Sequence, residues 1–245
     1  MSLDCRPDYE QTTPWFKLDL MTIGKVLTVL RGPVQPLGHT TSGINKKPAQ
    51  GKVTVNPLGL DGDAQADLRN HGGEFKAVHC YSWAHYQSWR QELPENRMLD
   101  APGAFGENLS IDGLDETTVC IGDRWRVGSV VFAVSQGRQP CSKLNLRFSV
   151  PDMATRVQRS LRTGWYQRVI EPGTLAAGDA IELLERPHPD YPIATLLALI
   201  RDRDTDPARL QDVLKLPLPP SWQRLFSKRL QSGQSDDRMS RSQKP

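Results

Sequence analysis

From residue 124 to residue 135 the chain alternates about a central glycine. Val130, Phe132 and Val134 fall on one face, and Val131, Ala133 and Ser135 fall on the other. A repeat of two is the signature of a strand, and Gly113, Gly122-Asp123 and Gly128 break the pattern before any strand can grow long. Further short strands are expected at 23–30, 52–55, 77–81, 109–111, 118–121, 168–170 and 180–184, with few helices between them. Such a run leaves little room for strand–helix–strand crossovers and predicts a mainly β fold closed as a barrel. Two helices interrupt it. Ser82 is placed to cap one carrying Trp83, Tyr86, Trp89, Arg90 and Leu93 before Pro94, and Asp152 to cap another reaching Arg162 with Met153, Val157 and Leu161 on one side.

The texture changes after Arg186. The segment Pro187-His-Pro-Asp-Tyr-Pro192 reads as a stiff linker, and three short amphipathic helices follow. Ile193, Leu196, Leu197 and Ile200 mark the first. Asp206 and Pro207 open the second, which carries Leu210, Val213 and Leu214. Ser221 opens the third, with Trp222, Leu225, Phe226 and Leu230. The expected organisation is an extension at 1–21, a β-barrel domain at 22–186, a helical module at 187–234 and a polar tail at 235–245. The three apolar stripes exceed what short helices can hide among themselves, so the barrel or a second chain in a homodimer should cover part of them. No cluster of Cys, His or acidic residues falls in the module, which points to a positional role.

Several classes find no support. The longest apolar run, 193–200, is far short of the roughly 20 residues that span a bilayer. The first twenty residues carry six charges and no apolar core, which does not make a secretory signal. A cytoplasmic protein without a membrane partner is the expectation. The net charge of +3 is concentrated at one end, because residues 221–245 hold six Lys or Arg against two Asp, leaving the first 220 at about −1 (+3 less +4). A solvated terminus accounts for this better than a nucleic-acid arm. Cys5, Cys80, Cys120 and Cys141 form no CxxC pair, so no disulfide framework is expected. His71, His79, Cys80 and Cys141 match no standard zinc spacing, and structural roles are expected for His79 and Cys80. There is no GxSxG, P-loop or GxGxxG.

Three segments could carry chemistry. In SQGRQPCSKLN, Cys141 ends an apolar strand, with Arg138 three residues before it and Lys143 two after. Neighbouring cations favour thiolate, the form that attacks or binds metal; the same pattern also fits a half-buried core cysteine with solvated cations beside it. In GLDGDAQADLRNHGG, glycines flank small polar and acidic residues, which suits a loop whose backbone approaches a ligand, or equally a turn-rich connection with Asp61 and Asp63 capping turns. In FGENLS, Glu107 and Asn108 could hydrogen-bond a heterocycle from a strand edge.

Taken together and in this order, these three strings, with TGWYQRVI further on, resemble the MOSC family, named for the C-terminal domain of molybdenum-cofactor sulfurase, and within it the YiiM branch. The resemblance runs from about residue 23 to 186, and the three helices look like the module that closes YiiM-type chains. It implies a β-barrel similar to the one inserted in pyruvate kinase, and a molybdenum cofactor (molybdopterin) whose metal is bound by Cys141. A soft thiolate suits that metal. The pterin ends in a phosphate, for which Arg138 and Lys143 come first among the cations and His71, Lys76 and Arg168 next, with backbone donors near Gly72. Asn108, Asn145 and Glu107 are the candidates for the ring. Pyridoxal phosphate is not expected. The branch further implies an oxidoreductase that reduces N-hydroxylated small molecules, such as hydroxylaminopurines, to amines. No flavin, haem or iron–sulfur motif is visible, so a separate electron-donor reductase is the expected partner. The alternative reading makes Cys141 a carrier of sulfur or of the cofactor.

Overall fold

The structure, a computed structural model, describes residues 21–234. The expectations for the N-terminal extension up to residue 20 and for the polar tail lie outside the described residues. Seven strands close a barrel: β1 (Met21–Arg31), β2 (Val78–Ser82), β3 (Leu109–Asp112), β4 (Arg124–Val127), β5 (Val130–Gly137), β6 (Trp165–Glu171) and β7 (Ala180–Glu185). Around the ring the order is β1-β3-β2-β6-β5-β4-β7, and β7 pairs back onto β1. Neighbours are antiparallel except for β2 and β3, which run parallel. The long β1 pairs with β7, with β3 and, at its end, with the short strand Lys47–Pro48, and its register shifts between Thr22 and Gly24 and again between Val26 and Thr28. Such irregularities bend a strand, and closure of a small barrel needs that bend.

Alternation then sorts the side chains. Phe132 and Val134 of β5, Trp125 of β4, Trp165 of β6 and Ile111 of β3 belong to one buried cluster. A second cluster packs outside β2, where Tyr81, Tyr86, Trp89, Phe105, Phe148 and Val157 come together. It is built with helices α1 (Ala84–Glu92), α2 (Lys143–Phe148) and α3 (Met153–Ser160), and Tyr81 stacks on Phe105 with ring centroids 4.2 Å apart.

Several local expectations shift. The segment 118–121 is no ladder strand. Only Cys120 bridges, to Pro192, because the backbone here pairs with the linker through Ile121 N to Tyr191 O and Ile193 N to Val119 O. The strand at 52–55 is Val53–Asn56 and lies in a small separate sheet with Gly59–Leu60 and Gly173–Leu175. Ser82 finishes β2 instead of capping α1, and Asp152 makes no cap bond, pairing with Arg156 one turn on. The helix α2 falls where no element was expected; its signal is the i, i+4 pair Leu144 and Phe148, both buried.

The C-terminal helices are α4 (Ile193–Arg201), α5 (Pro207–Val213) and α6 (Pro220–Ser232). Asp206 caps α5 by accepting from Arg209 N, with Pro207 in the first position. Ile193, Leu196, Leu197, Leu210, Val213, Trp222 and Phe226 join the same buried cluster as the barrel interior. The chain's own barrel therefore covers much of the apolar surface that needed a cover. Contact is close where α4 crosses β5: a Cβ on Gly137 would stand 2.7 Å from Leu197. Buried Arg229 of α6 donates to Leu199 O and Ile200 O, satisfying carbonyls at the end of α4. Among the described residues no helix is long and apolar enough to cross a membrane.

Candidate functional site

Where β5 ends, Gly137 releases the chain into the turn that carries Arg138 and Cys141, and Lys143 opens α2 just beyond it. These three side chains open into one cavity, shared with Lys46 and Ile44, residues 64–67, His71, Lys76, His79, Phe105, Asn108 and Tyr166. It encloses about 590 Å³, open mouth included. The walls are irregular segments held close together. Gly43 lies so near the backbone of Ala64 that any side chain there would collide with its carbonyl, which explains a glycine at that point.

The cavity is rich in positive charge. Lys46 is only 8% exposed and ion-paired with Asp63, whose carboxylate also accepts from Gly32 N (3.1 Å), Asn108 Nδ2 (2.9 Å) and Gln65 Nε2 (3.3 Å). Burial lowers the affinity of Lys46 for its proton, and Asp63 opposes that shift. Lys143 Nζ donates to Thr41 O at 2.9 Å. Arg138 is 6% exposed; its backbone N–H donates to Gly164 O at 2.9 Å, while its buried Nη1 has no partner among the described residues. The two histidines are held neutral. Burial, followed by Arg138, Lys76 and Lys143, pulls His71 down to about 4. Burial and Arg138 hold His79 well below the usual histidine range. Cys141 is half-buried and free of any disulfide.

Six of the expected residues meet here: Cys141, Arg138, Lys143, His71, Lys76 and Asn108. Four lie elsewhere. Glu107 turns away from its neighbour Asn108 and is fully buried, accepting from Tyr86 Oη (2.5 Å), Gly103 N (2.7 Å) and Phe105 N (3.1 Å). Asn145 accepts from Ala154 N in the first turn of α3 at 2.8 Å, tying two helices together. Gly72 packs on Leu68, where a Cβ would come within 3.1 Å of its backbone. Arg168 lies two residues beyond Tyr166 on β6, past the segment Glu74–Lys76. It faces the surface, pairs with Glu74 at 3.5 Å and sits over the Phe75 ring.

Lys46, Asp63, His79 and Tyr166 belong to the site without having been picked as ligands. Lys46-Lys47 is an undistinguished charge pair in sequence, and only the approach of its loop to Asp63 buries it. His79, for which a structural role was expected, lines the cavity because β2 alternates. Its ring enters the cavity wall, while Cys80 belongs to the barrel cluster and its thiol is pushed up by burial. The same alternation takes Cys80 away from His71, His79 and Cys141, which line the cavity, and no group of three or more His, Cys, Asp or Glu side chains able to hold a metal ion occurs among the described residues.

A barrel with a thiol and a cluster of cations at one end of a strand defines a class, and comparison with known proteins agrees. The MOSC domain model matches residues 67–182, and the model for a YiiM-like, 3-alpha helix domain matches 192–233. The chain belongs to the MOSC family, in its YiiM-like branch. It is 38% identical over 197 residues to Protein YiiM of Escherichia coli strain K12, covering 80% of this chain and 88% of that one. It is likewise 38% identical over 196 residues to a protein of Gibberella moniliformis named Reductase, but spans only 35% of that relative's length. The crystal structure of YiiM from Escherichia coli superposes with a TM-score of 0.75 at 32% identity, covering 89% of this chain and 98% of that one. YiiM from Geobacillus stearothermophilus gives 0.72 at 30% identity, covering 84% and 99%. Membership of the MOSC family supports a function associated with the molybdenum cofactor.

Proposed function

We propose that the cavity holds a molybdenum–pterin cofactor, with Cys141 as protein ligand to the metal, and that the chain reduces N-hydroxylated compounds such as hydroxylaminopurines to the parent amines. The observation that carries this reading is the meeting, in one open cavity, of a half-buried thiol and the buried Nη1 of Arg138, which has no acceptor among the described residues. A charged donor buried without an acceptor is costly, and an anionic group entering the cavity would relieve that cost. Lys46, Lys76 and Lys143 add to the attraction. A thiolate suits a soft, redox-active metal, so the residues present fit both ends of the cofactor.

When bound, the cofactor supplies a two-electron metal centre. Cys141 would hold the metal, and Arg138, Lys143, Lys46 and Lys76 would hold the anionic end from a cavity wall that Asn108 and Tyr166 complete. With His71 and His79 neutral near pH 7, the positive charge is carried by the lysines and Arg138. The net reaction, R–NHOH + 2 e⁻ + 2 H⁺ → R–NH₂ + H₂O, needs two electrons, which a separate reductase is proposed to supply.

The test uses the full chain made in cells that synthesise the cofactor. Molybdenum per chain and reduction of a hydroxylaminopurine with a chemical electron donor are measured for the wild type and for Cys141→Ser. The serine variant should keep its circular dichroism and lose both metal and turnover. Stoichiometric molybdenum in that variant would overturn the assignment. A wild-type chain carrying a persulfide on Cys141 and no metal would select the carrier reading instead.

A further inference from the structure

We propose that Glu116 is a positioning residue for the cavity: through Gly164 it sets the seat of Arg138, and through its own carbonyl it ties that seat to the C-terminal helices. The proposal rests on the reading of the cavity as the site of an anionic cofactor. Glu116 does not line the cavity, and no motif singles it out. It is nevertheless 3% exposed, with both carboxylate oxygens engaged. Oε1 accepts from Gly164 N at 2.5 Å, and Oε2 meets His85 Nε2 of α1 at 2.6 Å. Its backbone carbonyl accepts from Ala194 N, in the first turn of α4, at 2.7 Å. One residue thus joins α1, the turn before β6 and the C-terminal module.

Gly164 passes the constraint on. Its φ is +75°, and a side chain there would collide with Cys80 O and His79 Nε2, so the turn is pressed against β2 with no slack. Its carbonyl accepts from Arg138 N at 2.9 Å and from Thr163 Oγ1 at 2.8 Å. The carbonyl of Thr163 faces His79 Nε2 at 3.4 Å. Both peptide groups flanking Gly164 therefore support side chains of the cavity wall. This matters most for Arg138, because the Nη1 of its guanidinium has no acceptor among the described residues. Its direction is set at the backbone, and the backbone is held by Gly164. On the other side Leu197 of α4 closes over Gly137, the preceding residue. Loss of the Glu116 carboxylate would leave a buried N–H at Gly164 without its acceptor, and the turn would relax at the point where Arg138 hangs from it.

The test titrates inorganic pyrophosphate into the purified full chain by calorimetry, with Arg138→Ala as reference. Glu116→Ala is expected to weaken binding about tenfold. Glu116→Gln, which keeps an acceptor for Gly164 N, should return it to within about threefold of the wild type. In the Arg138→Ala background Glu116→Ala should add nothing, because the two act as one unit; a merely structural role would weaken both backgrounds alike. Glu116→Asp, too short to reach both donors, replaces the alanine variant if that chain fails to fold. Wild-type affinity in Glu116→Ala (or in Glu116→Asp where it stands in), or an equal further loss without Arg138, would overturn the role of Glu116 alone. A wild-type chain that binds no pyrophosphate would remove the anion site itself and the proposal with it.

Discussion

Removing Asp63 tests how the fold holds a cation in the cavity. The side chains of Lys46 and Asp63 are 6% and 1% exposed, and they are ion-paired. Asp63→Ala leaves an ammonium buried without its counter-charge and deprives Gly32 N and Asn108 Nδ2 of an acceptor. Breaking a buried pair from one side costs about 3–5 kcal/mol. For a domain of this size that corresponds to a fall in Tm on the order of 10 °C. Lys46→Met should cost less, since Asp63 keeps three donors, and the double variant Lys46→Met/Asp63→Leu should be more stable than Asp63→Ala alone, because no charge is then left unpaired. Urea denaturation of the four chains, with slopes compared to confirm a common mechanism, measures each step. A loss below about 1 kcal/mol for Asp63→Ala would show that water reaches Lys46 and that the pair is not the buried anchor described here. The expectation extends to function: with Asp63 gone, burial dominates and Lys46 gives up its proton more readily, so an anion should bind less tightly as pH rises.

Two further outcomes are expected. His71 titrates near 4 in the folded chain against about 6.5 unfolded. Between those values the unfolded chain binds the extra proton, so stability should be full above pH 6.5 and fall as pH drops towards 4, by at most about 3 kcal/mol from this residue; His71→Gln should flatten that part of the stability–pH curve, and an unchanged curve would contradict the burial described. Gly137→Ala should cost about 1–3 kcal/mol by forcing Leu197 off β5, with partial recovery in Gly137→Ala/Leu197→Ala; a neutral single variant in thermal denaturation would show that α4 does not press on the barrel there.

The sequence by itself determined the strand-rich barrel, the helices after the linker and the thiol between two cations. These rest on local rules: alternation at period two, glycine turns, helical spacing, and the Asp206-Pro207 start. Three ordered strings also sufficed for the family, since each is a contiguous stretch of chain. What only the tertiary structure decided are relations between distant segments. Lys46 becomes a buried cation because its loop is folded onto Asp63, 17 residues away, and nothing local marks it. His79 and Cys80 part company because a strand sends neighbours to opposite faces, so adjacency in sequence became separation in space. Glu107 and Asn145 looked like polar groups waiting for a ring, yet the backbone N–H groups of Gly103 and Phe105 just before Glu107, and of Ala154 in the next helix after Asn145, claim them first, and a buried donor needs its acceptor wherever the chain can provide one. Arg168 shares a strand with Tyr166 but lies one pleat too far along it, and a distance of that kind exists only once the barrel has closed.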